Sequence, residues 1–480
     1  MRAVKNLITL FIGDGLSYLL NFATTIYLAR NLEVSNFGKI SFAFAFFSFS
    51  SFITNLGLIS IGTRDIAQRL KTSDSKIESK YISNVINLRQ VLAIITFVLL
   101  LLTSLLIQKP MPIKLLIILY GLSLFPFALL LEWAFFGWEK MKFITIERVL
   151  VALSYLALIL FFVKGSKHLS VIPIVFLISN ILGALFLFFI YRYNQKLHGA
   201  KTSHKYKLAF NYNDWLQLIK TALPFGIGAI LIQFPNNFNT IFLGMVKPDV
   251  QVGLFSAASK LLVFILIFDR VMNNTTFPII SRYYIEGTEK LSQVLNRLSK
   301  LVLVVSIPIC VGGFLLAKGI TSLIYGPVYE QSYPIFKILV WFFLLTMLNS
   351  LYTSSLIAGQ KNKQYVSAIG YGVAVNVILN IVLVPIIGAS GTAIALVVGE
   401  FVTLIFLTQM IKPIAHIRFT FPNIIKPLFA TAIMCIVIQL FYTKLSIIPL
   451  VIIATLVYVI VIILIKGVSK SDLSLAKTNQ

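Results

Sequence analysis

The residues of this chain that could do chemistry are a small set of charged side chains inside stretches of sequence that are otherwise apolar. The acids are Asp14, Glu132, Asp269 and Glu400, and the bases are Arg89, Lys260 and Arg270. If those stretches lie in lipid, each charge costs about 2.5–3.5 kcal/mol at the centre of a helix, so a functional or paired role is expected. Carboxylates could bind a proton or Na⁺, and basic groups could neutralise an anionic ligand.

These charged residues differ in how deep they lie within their apolar stretches. Asp14, Lys260 and Glu400 lie about eight to ten residues from the nearest polar boundary, too deep to reach water easily. The other four lie within about two turns of a boundary, so their side chains could extend to the interface instead. An ion pair between Lys260 and a carboxylate is a further alternative.

The composition of the chain shows what surrounds these residues. Of the 480 residues 58% are hydrophobic and only 12% are charged, against about 25% charged in a typical soluble protein. The mean hydropathy is +0.92. These values exclude a water-soluble globular protein, and most of the chain must lie in a lipid bilayer.

Apolar stretches of about 20 residues, the length that crosses a bilayer as a helix, recur along the chain. They are apolar on every face, which excludes the alternating pattern of membrane β-barrel strands. We predict an all-α polytopic membrane protein with 14 transmembrane helices. The predicted spans are 7–29, 38–62, 85–107, 113–137, 143–163, 170–191, 221–243, 252–276, 301–325, 333–358, 367–387, 390–411, 424–443 and 446–466.

The 41 Lys and Arg residues are concentrated in the connections on one side of these spans. Because short cytoplasmic connections are enriched in Lys and Arg, this distribution places both termini in the cytoplasm. It also explains a net charge of +25 without a nucleic-acid partner. We therefore expect contact with membrane lipids and no binding of nucleic acid.

The two halves of the chain carry matching residues in the same order. Gly38 recurs as Gly253 at an offset of 215 residues, and Gly137 recurs as Gly359 at an offset of 222. Each half holds six helices, so the repeat is parallel and predicts a pseudo-twofold axis along the membrane normal. The predicted parts are an N-lobe of helices 1–6 (1–191), a cytoplasmic linker (192–220), a C-lobe of helices 7–12 (221–411), and two C-terminal helices with a cytoplasmic tail (412–480).

Helix-breaking residues lie at corresponding places in the first and seventh predicted helices. They are Gly13 and Gly15 in the first, and Pro224, Gly228 and Pro235 in the seventh. Interrupted helices can bend and expose backbone to a cavity. We hypothesise that both helices bend during alternating access to the two sides of the membrane. The alternative is close packing of helices through small residues.

The sequence carries no signature of an enzyme or an ATP-driven pump. It contains no G-x-x-x-x-G-K-[ST] phosphate-binding loop, and its four histidines lie in predicted loops. No predicted external connection exceeds about a dozen residues, which disfavours a membrane glycosyltransferase or glycan polymerase. We expect no catalytic residues, no metal site and no cofactor other than a coupling proton or Na⁺.

Several motifs in the N-terminal part of the chain resemble one family. They are Leu28-Ala29-Arg30-Asn31-Leu32, Phe37-Gly38, Asn55-Leu56-Gly57-Leu58 and Thr63-Arg64-Asp65-Ile66-Ala67. The pattern is similar to that of O-antigen and capsule flippases, the polysaccharide-transporter branch of the multidrug/oligosaccharidyl-lipid/polysaccharide exporter superfamily. The motifs are diffuse, and the six-plus-six-plus-two layout of helices extends the resemblance over the whole chain.

The resemblance implies translocation of undecaprenyl-diphosphate-linked oligosaccharide from the cytoplasmic to the periplasmic leaflet of the bacterial inner membrane, by alternating access through a cationic central cavity. It also implies a polysaccharide polymerase and a chain-length regulator as partners. In this reading Arg30, Lys260, Arg270 and Arg89 bind substrate, and Asp14, Glu132, Asp269 and Glu400 respond to the coupling ion.

Alternatives remain within and beyond this resemblance. The lipid II flippase branch has an Arg-Asp pair in helix 1 where this chain reads Ala23-Thr24-Thr25, which makes a peptidoglycan precursor a weaker substrate candidate. A cation-coupled drug antiporter of the same superfamily would share the architecture but should rely on acidic residues in its lumen. A polytopic glycan polymerase or glycosyltransferase is the enzyme alternative.

Overall fold

The computed structural model describes residues 2–69, 75–197, 212–417 and 421–468, and within these ranges all regular structure is helical. The all-α prediction is therefore confirmed. The chain divides into two compact units, Met1–Gly253 and Leu254–Gln480. The lobe boundaries expected from the repeat, with a linker at 192–220, stay a prediction, and part of that linker lies outside the described residues.

The described residues of the first unit form ten α-helices and the start of an eleventh. Helix α1 packs on α8, which packs on α9, and α2 packs on α5 and α10. The helices are α1 (Arg2–Asn31), α2 (Val34–Asn55), α3 (Leu58–Arg69), α4 (Ser75–Leu106), α5 (Met111–Gly121), α6 (Leu124–Leu129), α7 (Glu132–Gly137), α8 (Met141–Phe162), α9 (Val171–Leu197), α10 (Tyr212–Val246) and the first residues of α11 (Asp249–Ile265).

The second unit contains the rest of α11 and seven further helices. Helix α16 packs on α14 and α15, while α13 packs on α14 and α17. The helices are α12 (Ile267–Ile285), α13 (Thr288–Tyr325), α14 (Tyr333–Ala358), α15 (Asn362–Ile387), α16 (Ala389–Ile411), α17 (Phe421–Phe441) and α18 (Ile447–Leu464). A buried cluster around Met434, Leu450 and Ala454 holds α17 and α18 together.

The protein is a multi-pass membrane protein. Twelve segments of the described chain are long and apolar enough to cross a bilayer, and the bent α10 makes a thirteenth. Helix α1, which covers the first predicted span, is 30 residues long but is not among these segments. The total of fourteen spans therefore stays a prediction.

Three predicted spans are broken into shorter helices. The span predicted at 38–62 is α2 followed by α3, with Leu56 and Gly57 between them at φ +41° and +80°. A Cβ atom on Gly57 would lie 2.6 Å from the Gly226 nitrogen of α10. Glycine thus serves both the left-handed backbone and the close approach of α10. The spans at 113–137 and 252–276 are likewise α5–α7 and α11–α12.

Two helix ends repeat the same backbone geometry in the two halves of the chain. After α7, Glu139 has φ +57° and the Lys140 N–H donates to the Phe135 carbonyl at 3.0 Å. After α14, Gln360 has φ +56° and the Lys361 N–H donates to the Leu356 carbonyl at 2.8 Å. Both ends are left-handed helix caps of the same hydrogen-bond pattern, and their spacing supports the internal repeat.

Gly38 and Gly253, which the repeat pairs, make equivalent contacts within the first unit. A Cβ atom on Gly38 would collide with the Asp249 carbonyl oxygen, and one on Gly253 would collide with the Val34 carbonyl oxygen. Val34 and Asp249 are separated by the same 215 residues as the two glycines. The contacts are those expected of a local two-fold relation between the starts of α2 and α11.

Candidate functional site

Arg148, on α8, lies at the centre of a cluster of charged side chains in the first unit. Its Nη1 atom donates to Asp14 Oδ1 on α1 at 2.6 Å. Its Nε and Nη2 atoms donate to the two carboxylate oxygens of Glu132 on α7, at 2.7 and 3.2 Å. Two-pronged contacts of this kind are strong and fix the geometry of both partners. The structure therefore joins two of the predicted ion-coupling residues through one guanidinium.

Glu147 adds a third carboxyl group beside Arg148. Its carboxyl group lies near that of Glu132, and the residue is 3% exposed. Its Oε2 atom has no hydrogen-bond partner among the described residues. We use the name ionic cluster for Asp14, Glu132, Glu147 and Arg148. Because Arg148 pairs with two carboxylates and a third carboxyl group lies next to it in sequence, a proton bound there would lower the net negative charge of the cluster.

Close packing of α1 against α8 positions the ionic cluster. A Cβ atom on Gly13 would collide with the Thr145 methyl group, so glycine lets the two helices approach. The Thr145 hydroxyl donates to the Thr9 carbonyl at 3.2 Å. The Arg148 guanidinium also lies 5.8 Å from the centre of the Phe136 ring, within cation–π range.

Sequence reasoning missed Glu147 and Arg148. The signal was present, because the two adjacent charged residues lie inside the predicted span 143–163. Charged residues in a membrane helix usually pair with one another or face the bundle interior. Adjacent charged residues within an apolar run therefore indicate a paired charge inside the bundle.

Arg89, predicted to bind substrate, donates hydrogen bonds to backbone carbonyl groups. It is 1% exposed on α4, and its Nη1 and Nη2 atoms donate to the Leu130 and Phe127 carbonyls at 2.7 and 3.0 Å. These carbonyls lie at the end of α6, where the helix breaks, and the Phe127 carbonyl also accepts the Leu130 N–H at 3.3 Å. We therefore assign Arg89 to holding the break between α6 and α7.

Glu400, on α16, belongs to a polar cluster in the second unit. Its Oε1 atom accepts hydrogen bonds from Asn349 Nδ2 at 2.8 Å and from the Thr346 hydroxyl at 3.1 Å, both on α14. The same Asn349 nitrogen donates to the Glu400 carbonyl at 3.0 Å. Asn349 is 5% exposed, and its Oδ1 atom has no partner in the part of the chain that the structure describes.

Asp269, on α12, completes this second group of oxygen atoms. Its carboxyl group lies near Ser350 of α14 and near the carboxyl group of Glu400. We use the name carboxylate–amide cluster for Asp269, Thr346, Asn349, Ser350 and Glu400. The structure thus brings the other two predicted ion-coupling residues to one helix, α14. Carboxylate, amide and hydroxyl oxygens are ligands that hard cations prefer.

The basic residues predicted to bind a diphosphate occur in both units. Arg30 is exposed in the last turn of α1. In the second unit Lys260 is half-buried on α11, and Arg270 is exposed in the first turn of α12. The break at Leu266 separates these two residues, and the Arg270 N–H donates to the Leu266 carbonyl at 3.3 Å. Their role in substrate binding stays a prediction.

The predicted hinge residues differ in their surroundings. Helix α10 bends by 57° between Tyr212–Gly228 and Ile230–Val246. Gly228 therefore lies at the bend, and a Cβ atom there would meet nothing within 4 Å. The prolines of α10, Pro224 and Pro235, lie on the two sides of the bend. In α1, by contrast, Gly13 packs on Thr145 and Gly15 faces open space, so their hinge role stays a prediction.

Comparisons with known proteins agree with this architecture. The family model described as Polysaccharide biosynthesis protein matches residues 3–284. A protein of Shigella dysenteriae that is named as an O-antigen transporter is 23% identical over 409 residues, which covers 85% of this chain and 100% of that protein. The family resemblance expected from the N-terminal motifs is confirmed.

Solved structures share the fold. A lipid II flippase, MurJ, in an inward closed conformation matches with a TM-score of 0.79 and 17% identity, over 96% of this chain and 99% of that chain. A multidrug resistance MATE family transporter of the MOP superfamily, in an inward-facing conformation, matches with a TM-score of 0.61 and 16% identity. The match covers 83% of this chain and 95% of that chain. At these identities the similarity is one of fold.

Proposed function

Since this chain belongs to the polysaccharide biosynthesis protein family, we propose that it is a flippase for undecaprenyl-diphosphate-linked oligosaccharide. It carries the oligosaccharide unit from the cytoplasmic to the periplasmic leaflet of the bacterial inner membrane, for assembly of a surface polysaccharide. The observation that carries the proposal is the family match, together with an alignment that spans the full length of an O-antigen transporter.

The substrate's diphosphate needs positive charge when it leaves water. Lys260 and Arg270 are the basic residues on either side of the α11–α12 break, and we infer that they bind the diphosphate. Arg30, exposed at the end of α1, is a further candidate. Arg89 is left out of this set, because backbone carbonyls occupy its guanidinium.

Energy for net movement comes, in this proposal, from a proton or Na⁺ gradient. The ionic cluster and the carboxylate–amide cluster each bring together acids from different membrane helices. Binding or release of a coupling ion at such a cluster would change how these helices pack. Replacing Glu400 by Gln should abolish the response of transport to an imposed pH or Na⁺ gradient. Glu289, exposed at the start of α13, supplies the control Glu289→Gln. An unchanged gradient response in Glu400→Gln would exclude this residue from coupling.

The proposal also places both termini in the cytoplasm, in keeping with the distribution of Lys and Arg. A polysaccharide polymerase and a chain-length regulator are its expected functional partners on the periplasmic side. Their contact with this chain would be shown by co-purification from cross-linked membranes.

Deletion of the gene, with side-specific labelling of lipid-linked oligosaccharide, tests the function. We expect accumulation on the cytoplasmic face, relieved by the intact gene and not by Lys260→Ala combined with Arg270→Ala. Two exposed bases at helix starts, Lys290 and Lys363, give the control Lys290→Ala with Lys363→Ala, which should relieve it fully.

Other outcomes identify the alternatives. Unchanged lipid-linked oligosaccharide together with altered sensitivity to cationic drugs would favour a drug antiporter. Accumulation on the periplasmic face would favour a glycan polymerase, since the substrate would then have crossed before the missing step. Full relief by the Lys260 and Arg270 double variant would reject these two residues as the diphosphate site and leave the flippase function standing.

A further inference from the structure

A polar cavity of about 360 Å³ lies in the first unit where α3, α4 and α10 meet. Its walls carry charged and hydrogen-bonding side chains and its floor is apolar. The lining residues are Ile61, Arg64, Asp65, Lys80, Tyr81, Asn84, Asp214, Gln217, Leu218 and Thr221. The volume falls in the range of about 300–1,000 Å³ that is typical of small-ligand sites, and none of the predicted substrate or ion residues lines it.

Hydrogen bonds hold the polar wall of this cavity in place. Arg64 binds Asp65 Oδ1 through Nε and Nη2, at 3.0 and 2.9 Å, and the Tyr81 hydroxyl donates to Asp65 Oδ2 at 2.8 Å. Trp215 Nε1 donates to Asn84 Oδ1 at 2.6 Å, which leaves the Asn84 NH₂ group to donate. A wall fixed before a ligand arrives loses less entropy on binding.

The floor of the cavity belongs to an apolar cluster. Ile61 is buried in that cluster, and Leu218 and Trp215 pack against it. On the α10 side, Gln217 and Thr221 are exposed and one turn apart, so both face the same direction. The cavity therefore offers an apolar surface below and amide, hydroxyl and charged groups around it.

A lipid-linked oligosaccharide has three chemical parts, the diphosphate, the isoprenoid chain and the sugar, and the apolar and polar surfaces of the cavity do not suit them equally. A diphosphate would meet the carboxylates of Asp65 and Asp214 as well as the bases Arg64 and Lys80, so it gains little net attraction. An isoprenoid chain would leave the polar wall without hydrogen bonds. A sugar ring has hydroxyls around its edge and less polar faces, and it matches both surfaces.

The cavity lies at the ends of α3, α4 and α10 that lead into the connections around 70–74 and 198–211, which the charge distribution predicts to be cytoplasmic. We propose that it is a cytoplasmic docking site for about one or two sugar residues of the glycan, and that it contributes to the choice of glycan. The link to glycan choice rests on the proposed flippase function; the binding of sugar does not.

Saturation-transfer NMR with the full-length protein in lipid nanodiscs tests sugar binding directly. The probes are glucose, N-acetylglucosamine, glucuronic acid and lactose, with inorganic diphosphate as competitor. At least one sugar should give a signal that Gln217→Ala combined with Thr221→Val reduces at least fivefold. The control is Thr103→Val with Gln108→Ala, which changes an exposed hydroxyl in the last turn of α4 and an exposed amide two residues after its end; it should leave the signal unchanged.

Size-exclusion elution matching the parent protein shows that the α10 variant is folded, as its two exposed positions lead us to expect. Absence of a signal from every sugar, or a signal that the α10 variant retains, would overturn the proposal. Competitive displacement of the sugar by diphosphate would overturn the choice of ligand class. Sugar binding at this cavity in a protein that moves no lipid-linked oligosaccharide would reject the flippase function alone.

Discussion

Arg148 holds two carboxylates from two other helices, Asp14 on α1 and Glu132 on α7, and it lies next in sequence to the buried Glu147. The Arg148, Asp14 and Glu132 side chains are 31%, 39% and 18% exposed, so neighbouring solvent or headgroups weaken the pairs. The guanidinium still pairs with both Asp14 and Glu132, which reduces the repulsion between these two carboxylates. At the scale of single residues, this side chain joins three helices, α1, α7 and α8, through ion pairs.

Replacing Arg148 by Met should destabilise the protein by about 1–3 kcal/mol, because it leaves acids without a partner. Adding Glu132→Met should restore part of that loss, since one of the repelling carboxylates is then gone. The apparent unfolding temperature in detergent, measured for both single variants and the double variant, gives the coupling. Lys290→Met, which removes an exposed pair with Glu286, should cost about 0.5 kcal/mol or less. Strictly additive losses would contradict the ionic cluster.

At the scale of helices, the breaks inside the predicted spans expose backbone carbonyls to side chains of other helices. The break between α6 and α7 contains neither glycine nor proline, and Arg89 reaches its carbonyls from α4, some 40 residues earlier in the chain. The neighbouring Gln90 donates to the Phe125 carbonyl at 3.0 Å. One turn of α4 thus supplies hydrogen bonds to the region where the fourth predicted span loses helical structure.

Arg89→Met should lower stability by about 3 kcal/mol, because two charge-assisted hydrogen bonds are lost and the Leu130 carbonyl is left without its donor. Gln90→Met, beside it on the same helix, should cost only about 1 kcal/mol for one neutral bond. Thermal unfolding of the purified variants compares the two. Equal effects would show that the Arg89 contacts do not hold the break.

The bend of α10 gives a second prediction at this scale. A methyl group on Gly228 meets no neighbour, so Gly228→Ala should fold normally and stiffen the helix by roughly 0.5–1 kcal/mol. We expect at least a fivefold fall in transport rate with unchanged or slightly raised thermal stability. Gly370→Ala is the matched control, since Gly370 also has open space and lies within α15. Equal transport rates in the two variants would reject Gly228 as a hinge.

The positions of most helices could be predicted from the sequence. Every predicted span coincides with helical structure, because a 20-residue apolar run in lipid can satisfy its backbone only as a helix. The breaks that separate α5, α6 and α7 were harder to predict, because the run from Gly121 to Leu131 is apolar apart from Ser123. The partners that allow the chain to break there, Arg89 above all, come from distant parts of the sequence.

At the scale of the whole molecule, the two compact units each carry a polar cluster that unites acids predicted separately. The sequence showed which acids were deep, but the contacts of Asp14 with α8 and of Glu400 with α14 depend on tertiary packing that no local pattern encodes. The helix caps at Glu139 and Gln360 have the same backbone geometry, as the internal repeat leads us to expect, and the two-lobe arrangement stays a prediction.

Translocation by the purified protein is the most direct test of the central claim. Proteoliposomes containing undecaprenyl-diphosphate-linked oligosaccharide are treated with a membrane-impermeant enzyme that modifies only glycans of the outer leaflet. We expect the protein to expose inner-leaflet glycan at least tenfold faster than protein-free liposomes, and Lys260→Ala with Arg270→Ala to remove most of that gain. A rate equal to that of protein-free liposomes, with the protein folded and an ion gradient imposed, would contradict the proposed function.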